Sequence, residues 1–573
     1  MQTYRNPDIQ ELPLSAPYFR RKAESFLEAN GLRLESLDVY YTIQDADGEI
    51  LAGAGLQADV IKGLAVAEEA RSEGLALPLL SHVVSAAAAR GVTNLKVFTK
   101  PEHRTLFESL GFRLLASAPE AVLLENGRGL EQYCRYLAGL RKPGRTGVVV
   151  MNANPFTQGH RYLLEQAAAR TDHLVVIPVR EDVSLFSYAE RVQMLRAGAP
   201  SSVVVAEGSG YQISALTFPT YFLKDLSTAA ETQMRLDLDL FARHIAPALG
   251  AVERFAGNEP LDALTGRYNR LMQELLPARG IAFTELPRLE DAAGPVSASR
   301  VRSALAAGRC PEAEALTPAT THPFLLACLA CEALQKELDT PGKPGLVGPD
   351  ACGAHRDMDY GMMQRSVGVL RPFFVRMAQA QDTAELRRTG IEAEAAMLAS
   401  SGGVNTHRGA IFALGLAVFA RSRCAAKPLQ ETLAAAAAEL CAEAPRRADT
   451  HGAQAVASYG VRGAREMALG GYRELFGRWL PFYRSVKAEP QGCLRTLLLI
   501  MSELDDTCIL HRAGPARAQA VKREAGELAL HFGEEALSRL CAAYAAEGIS
   551  PGGAADMLAL TIFIDTITSL NNS

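Results

Sequence analysis

Between Asn152 and His160 the chain reads Asn-Ala-Asn-Pro-Phe-Thr-Gln-Gly-His, a set of residue types suited to holding phosphate. His160 brings a donor that can carry charge, and Gly159 lets the backbone approach a ligand closely. Thr157 offers a hydroxyl that donates without charge, and Asn152, Asn154 and Phe156 make up the rest of the loop. The run before it, TGVVVM, is continuously apolar, as a strand buried on both faces must be. The run after it, HRYLLEQAAAR, has helical spacing, with Leu163, Leu164 and Ala167 on one face. In the order strand, short loop, helix start, the free N–H groups of the helix attract an anion. The plainer reading is that His160 only caps the helix. A later stretch, VSASRVRSAL, from Val296 to Leu305, also opens a helix. Ser297 and Ser299 can cap it, and Arg302 can reach the outer phosphates of a nucleotide. Lys224 and Arg191 are further cations for phosphate or for a solvated surface.

The last third of the chain carries a second collection. Helical runs there are interrupted by KPGLV, GAHRDMD, GGVNTHRGAIF, DDT followed by HR, and SPGGAAD. Glycine, histidine, cations and carboxylates are poor core material, so their recurrence at helix ends points to one site. Lys343, Arg408 and Arg512 suit phosphates, with His355, Arg356, Asn405 and His407 beside them. A lone histidine at a helix end is as readily structural as functional, and both readings stand for His355 and His407. Asp505 and Asp506 are adjacent on what reads as a helix, so they point in different directions. Asp357 and Asp359 join them as Mg²⁺ candidates, with Glu332 as a further ligand or base. No His-x-x-x-His spacing supports a zinc hydrolase. Near the N-terminus, EEARSEGLALPLL sets Arg71, Gly74 and Ala76 in an Arg-x-x-Gly-x-Ala pattern.

Three kinds of segment must position these residues. Residues 1–140 mix strands such as DVYYTI and NLKVFT with the helix LALPLLSHVVSAAAARG, ended by Gly91. Residues 141–312 alternate strand and helix, which implies a parallel sheet. Residues 313–573 read as helices throughout, with no Gly/Ser-rich linker before them. A chain of 573 residues is too long for one core. A formal net charge of -5 argues against a general nucleic-acid binder. No apolar run reaches the roughly 20 residues of a membrane span, and no secretory signal is visible. Ten scattered cysteines fit a reducing cytoplasm, with the Cys328/Cys331 pair read as buried thiols.

The TQGH and VSASRVR elements resemble the nucleotidyltransferase superfamily with its His-x-Gly-His motif, the first His replaced here by Thr157. With SGYQISALTFPTYFLKD and RFAGNEPLDALTGRYNRLM between them, they resemble the citrate lyase ligase family over residues 1 to about 310. That resemblance implies a Rossmann-like domain in which ATP and acetate give acetyl-adenylate and pyrophosphate. The acetyl group then passes to the thiol of the citrate lyase acyl carrier subunit. It implies catalytic roles for His160 and Arg302, and ATP contacts from Asn152, Asn154, Phe156, Thr157, Gly159, Ser297 and Ser299, Thr157 contributing less than His160. Mg²⁺ would share the stabilisation of phosphate charge, and acetate, already ionised at pH 7, needs no general base. The Arg71–Gly74–Ala76 turn and LFESLGF resemble GNAT-type acetyltransferases, which implies docking of a CoA-like arm, acetyl transfer, or packing alone.

The C-terminal motifs resemble the triphosphoribosyl-dephospho-CoA synthase family, with one departure: the extra Gly342 in TPGKPG. This implies a reaction of ATP with 3′-dephospho-CoA that releases adenine. Catalysis would fall to Asp505 and Asp506, and substrate binding to Lys343, His355, Arg356, Asn405, His407, Arg408 and Arg512. The expectation is a cytoplasmic α/β and all-α fusion serving one pathway. Its rivals are an ordinary nucleotidyltransferase and a non-catalytic assembly protein.

Overall fold

The run read as DVYYTI forms β2 (Val39–Gln44), buried along nearly its whole length. It does so because helices cover both faces of its sheet. This sheet also contains β1 (Ile9–Leu12), β3 (Ile50–Gln57), β4 (Val60–Val66), β5 (Leu95–Thr99), β6 (Arg113–Ser117) and β7 (Val122–Asn126). Their order is β1-β2-β3-β4-β5-β7-β6. All neighbours are antiparallel except β4 and β5, whose parallel pairing stops after Val60–Lys96 and Ile61–Val97. Tyr40 and Ile50 pack toward Leu27 of the helix Pro17–Ala29. On the other face Tyr41, Ile43 and Val97 meet Leu79, Leu80 and Val83 of the helix Ala76–Ala89. The alternation of a strand decides which helix each residue meets.

A second sheet is wholly parallel. It holds β8 (Thr146–Met151), β9 (His173–Pro178), β10 (Val203–Val205), β11 (Ala251–Gly257) and β12 (Ala282–Leu286), in the order β10-β9-β8-β11-β12. The apolar run before the TQGH loop is β8, the central strand. Its chain reverses direction of propagation there, and ligands of open parallel sheets bind outside the carboxyl ends at such a point.

The molecule is described by a computed structural model, over residues 7–180, 184–213, 218, 228–259, 262–424, 427–442 and 451–569. The chain divides into two compact units, one of Met1–Asn154 and Gly159–Val296, the other of Pro155–Gln158 and Ser297–Ser573. Both sheets lie in the first unit. A shared core explains this grouping: Phe98, Leu115 and Leu123 of the first sheet cluster with Val148, Val175 and Ile177 of the second. The second unit is helical. At its centre lies Gly552–Thr568, apolar on every side and buried along most of its length, as a helix surrounded by others must be. It packs against His322–Leu338, Arg408–Arg423 and Gly492–Glu503. No described helix is long and apolar enough to cross a membrane.

Candidate functional site

In the first unit, the loop leaving β8 is held in an uncommon conformation. Ala153 has φ 49°, the left-handed region that side chains other than glycine rarely adopt. What holds it is Arg191, which is fully buried. Its Nη1 donates to Asn152 O at 2.7 Å, to Asn152 Oδ1 at 2.6 Å and to Val179 O at 3.0 Å, and its Nε donates to Phe186 O at 3.2 Å. Arg191 sits on the helix Tyr188–Gly198, whose start is fixed by a capping box between Ser187 and Glu190. Asn154 Oδ1 accepts the Phe186 N–H at 3.2 Å. Arg191 is therefore neither a surface cation nor a phosphate ligand here. It spends its donors tying together the loops that leave β8 and β9. Lys224 lies outside the described residues. Gly159 and His160 stand in the first turn of the helix Gln158–Ala168, both partly open to solvent. At the carboxyl ends of β11 and β12, Arg288 donates from Nε to Asn258 O at 2.6 Å and reaches Glu259. Asn258, within the quoted RFAGNEP run, was legible as part of that segment. Arg288 carried no signal, because its partners are distant in sequence.

Phe156 and Thr157 belong to the second unit. Phe156 is fully buried, and its carbonyl accepts from Thr321 Oγ1 at 3.1 Å. Gln158 N–H donates to Leu316 O at 2.9 Å. Thr157, expected as a lesser phosphate contact, is 1% exposed, so its hydroxyl faces protein neighbours in this structure. In the later motif, Ser297 is the N-cap of the helix Ala298–Ala306 and accepts the Arg300 N–H at 3.3 Å. Ser299 does not cap. Its hydroxyl accepts from Arg302 Nη2 at 3.1 Å. Partial burial draws the Arg302 guanidinium below its ordinary range.

The C-terminal motifs meet in the helical unit through carboxylates that grip helix starts. Asp506 is buried, and its Oδ1 accepts the Cys508 N–H at 2.8 Å while its Oδ2 accepts the Ala554 N–H at 3.0 Å. It thus joins the start of Thr507–Leu530 to the start of the central helix. Asp556, on that central helix, accepts the Ala410 N–H and so grips the start of Arg408–Arg423. A Cβ added at Gly409 would strike the Asp556 carboxylate, which is why glycine follows Arg408. Burial, with Glu337 and Asp506 nearby, pushes the Asp556 carboxyl well up. Asp556 ends the SPGGAAD motif, where nothing local sets it apart as a site residue, and Glu337 sits in an ordinary helical run. Lys343 is buried in an ion pair with Glu337, Nζ to Oε1 2.6 Å. It is not an open phosphate donor in this arrangement. The preceding Gly342 adopts φ 67°, a conformation suited to the glycine found there. His407 is buried beside Lys343. Desolvation, then that charge, pulls its imidazole down to about 4, so it is neutral at pH 7. Its Nδ1 meets Ser366 Oγ at 3.0 Å. His355 Nε2 meets Ser550 Oγ at 2.8 Å, and burial, then the Arg512 charge, lowers its pKa. Arg408 pairs with Glu394 at 3.3 Å, while Asn405 Oδ1 accepts the Arg408 N–H at 3.1 Å. Arg356 and Arg512 are exposed.

The four aspartates read as Mg²⁺ candidates each have another partner. Asp505 and Asp506 lie in the turn between Gly492–Glu503 and Thr507–Leu530, not on a helix. Asp505 pairs with Lys522. Asp359 caps the helix Tyr360–Gln379 by accepting the Met362 N–H at 2.7 Å. Asp357 is exposed, 3.7 Å from His355. Among the described residues no three His, Cys, Asp or Glu side chains form a metal-ligand set. A Mg²⁺ ion at these residues would therefore be held by one or two carboxylates together with substrate phosphates. Glu332 faces the Cys328 thiol on its own helix. Cys328 is a free, buried thiol, while the free Cys331 is only partly buried.

The N-terminal turn is open. Arg71 ends a short 3₁₀ helix, Gly74 adopts φ 70°, and Ala76 begins the helix Ala76–Ala89, which has no side-chain cap. Arg71 and Gly74 are exposed.

Two family models match the chain in succession: the citrate lyase ligase C-terminal domain over residues 146–325, and ATP:dephospho-CoA triphosphoribosyl transferase over residues 323–573. Citrate (pro-3S)-lyase ligase of Klebsiella pneumoniae is 41% identical, over 54% of this chain and 93% of that protein. The ligase of Escherichia coli (strain K12) is 39% identical, over 52% and 88%. A probable 2-(5″-triphosphoribosyl)-3′-dephosphocoenzyme-A synthase of Stutzerimonas stutzeri (strain A1501) is 42% identical, over 42% and 91%.

Proposed function

The chain belongs to the citrate lyase ligase family over its first part and to the triphosphoribosyl-dephospho-CoA synthase family over its second, and from that premise we propose that one polypeptide carries out two steps of citrate lyase activation. The observation that carries this reading is that single-function relatives match nearly end to end, one after the other: 93% of the ligase and 91% of the synthase. Function is assigned to three segments, 1–140, 141–312 and 313–573.

In the ligase reaction an acetate oxygen attacks the α-phosphorus of ATP and pyrophosphate leaves. The thiolate of the citrate lyase acyl carrier subunit then attacks the acetyl carbon and AMP leaves. His160, at a helix start on the sheet's carboxyl side, stabilises phosphate charge there. The family resemblance assigns Ser297, Ser299 and Arg302 to the same nucleotide, and Asn152, Asn154 and Gly159 to the loop that receives it. The open turn at Arg71, Gly74 and Ala76 holds the pyrophosphate of the carrier's CoA-derived arm. A mixed sheet whose parallel β4–β5 pairing stops early supports this acetyltransferase-like docking role.

In the synthase reaction the 2′-oxygen of 3′-dephospho-CoA bonds to C1′ of the ATP ribose as the bond to adenine breaks. Adenine leaves with the bonding pair and takes up a proton, while the attacking hydroxyl loses one. Arg356, Arg408 and Arg512 meet phosphates, Asn405 sets the helix start beside them, and Asp506 and Asp556 hold that region's helix ends in register. Mg²⁺ bound with ATP would supply charge neutralisation, with Asp505 or Asp506 as its protein ligand.

The test is one preparation with two readouts: adenine from ATP and dephospho-CoA, and AMP from ATP, acetate and thiol-form citrate lyase. Both products are expected. Pyrophosphate release that ignores acetate and the carrier thiol would favour an ordinary nucleotidyltransferase, and no turnover at all a non-catalytic assembly role.

A further inference from the structure

Beside the Asp505–Asp506 turn lies a cavity of about 230 Å³. It exists because the helix Thr507–Leu530 is broken in its second turn: Gly514 takes φ 77° and ψ 174°, and Pro515 follows. Proline removes a helical hydrogen bond and displaces the preceding turn, and Leu510 before the break and Ala518 after it both line the space. The cavity is smaller than the roughly 300–1,000 Å³ of pockets that enclose a drug-sized ligand. It is therefore sized for a fragment, not for a nucleotide or a pantetheine arm. Leu510, Ala518 and Met501 supply aliphatic walls, Tyr459 a ring, and Gln519 an exposed amide. That amide makes no hydrogen bond. An amide offers one donor and one acceptor side by side, the complement of the amino group and ring nitrogen on adenine's edge. Asp505, with its Lys522 partner, and Asp506 form the polar rim.

We infer that this cavity is the subsite for the adenine base of ATP in the synthase reaction, with Gln519 reading the base edge. The inference rests on the synthase reading above. That reaction breaks the bond to adenine, so the enzyme must hold the base as part of ATP and then as the leaving group. A partly enclosed, half-apolar slot at the edge of the charged cluster meets both needs.

The experiment uses the full chain with dephospho-CoA, and with ATP or ITP, whose base lacks the amino group. Ala518→Leu fills the slot and Gln519→Leu removes the amide from an exposed position. Ala518→Leu is expected to raise KM for ATP in adenine release about tenfold or more, with the AMP-forming reaction unchanged. Gln519→Leu is expected to cut the preference for ATP over ITP about tenfold. An unchanged KM for ATP in a folded Ala518→Leu protein overturns the inference, as does a rise in KM for dephospho-CoA alone. If Ala518→Leu does not fold, Gln519→Leu decides: an unaltered ATP preference, or none in the parent, overturns it. Absence of adenine release by the parent chain would instead sink the synthase reading itself.

Discussion

At the scale of single residues, chemistry and support are carried by different side chains. Arg191 serves no ligand, yet four acceptors on two loops depend on it. Arg191→Lys keeps the charge but not the fork that serves those acceptors. The AMP-forming kcat should fall roughly 100-fold, since small misplacements of a phosphate loop cost that much, and adenine release should be unchanged. Steady-state assays of both products on one preparation check this. His407 gives a pH prediction. Its unfolded imidazole titrates near 6.5 and its folded one at about 4, so between those values the unfolded chain binds the extra proton. The stability that neutral His407 contributes is complete above pH 6.5 and is lost as pH falls toward 4, by up to about 3 kcal/mol. His407→Gln should flatten that slope in thermal melts of the full chain across this window. The opposite placement of Thr157, buried at 1% exposure, could not be read from its neighbours, because burial is a property of what packs on it.

At the scale of elements, periodicity was a sound guide. TGVVVM became the central parallel strand, and THPFLLACLACEALQKEL became the helix His322–Leu338. Each is long and strongly patterned, so local preference and packing agree. The Asp505–Asp506 pair shows where pattern stops: the two read as neighbours on a helix, but a buried Asp506 that accepts the next helix's first N–H groups marks the end of one helix and caps another. The same device at Asp556 makes Gly409 the tightest point of the cluster. Gly409→Ala would drive a methyl group into that carboxylate. It should destabilise the helical unit by about 1–3 kcal/mol and lower adenine release. Denaturant midpoints, with adenine assayed alongside, test this, and an unchanged midpoint would remove Asp556 from its gripping role.

At the scale of the molecule, two activities in one chain provide an internal control that neither relative offers. His160→Ala should abolish AMP formation and spare adenine release, while Asp506→Asn should do the reverse. Mixing the two variants should restore both products. Loss of both activities in either variant would show that the two halves fold or act as one. The composition, the order of motifs and the two family resemblances were all legible in the sequence, because motifs are local and their residue types are constrained by phosphate chemistry. Which of those residues face a ligand and which are spent on the fold was decided only in three dimensions. Lys343 with Glu337, Asp505 with Lys522 and Arg191 with its carbonyls all look like free charges in a linear chain. A buried charge must find a partner, and that partner comes from wherever the fold brings one.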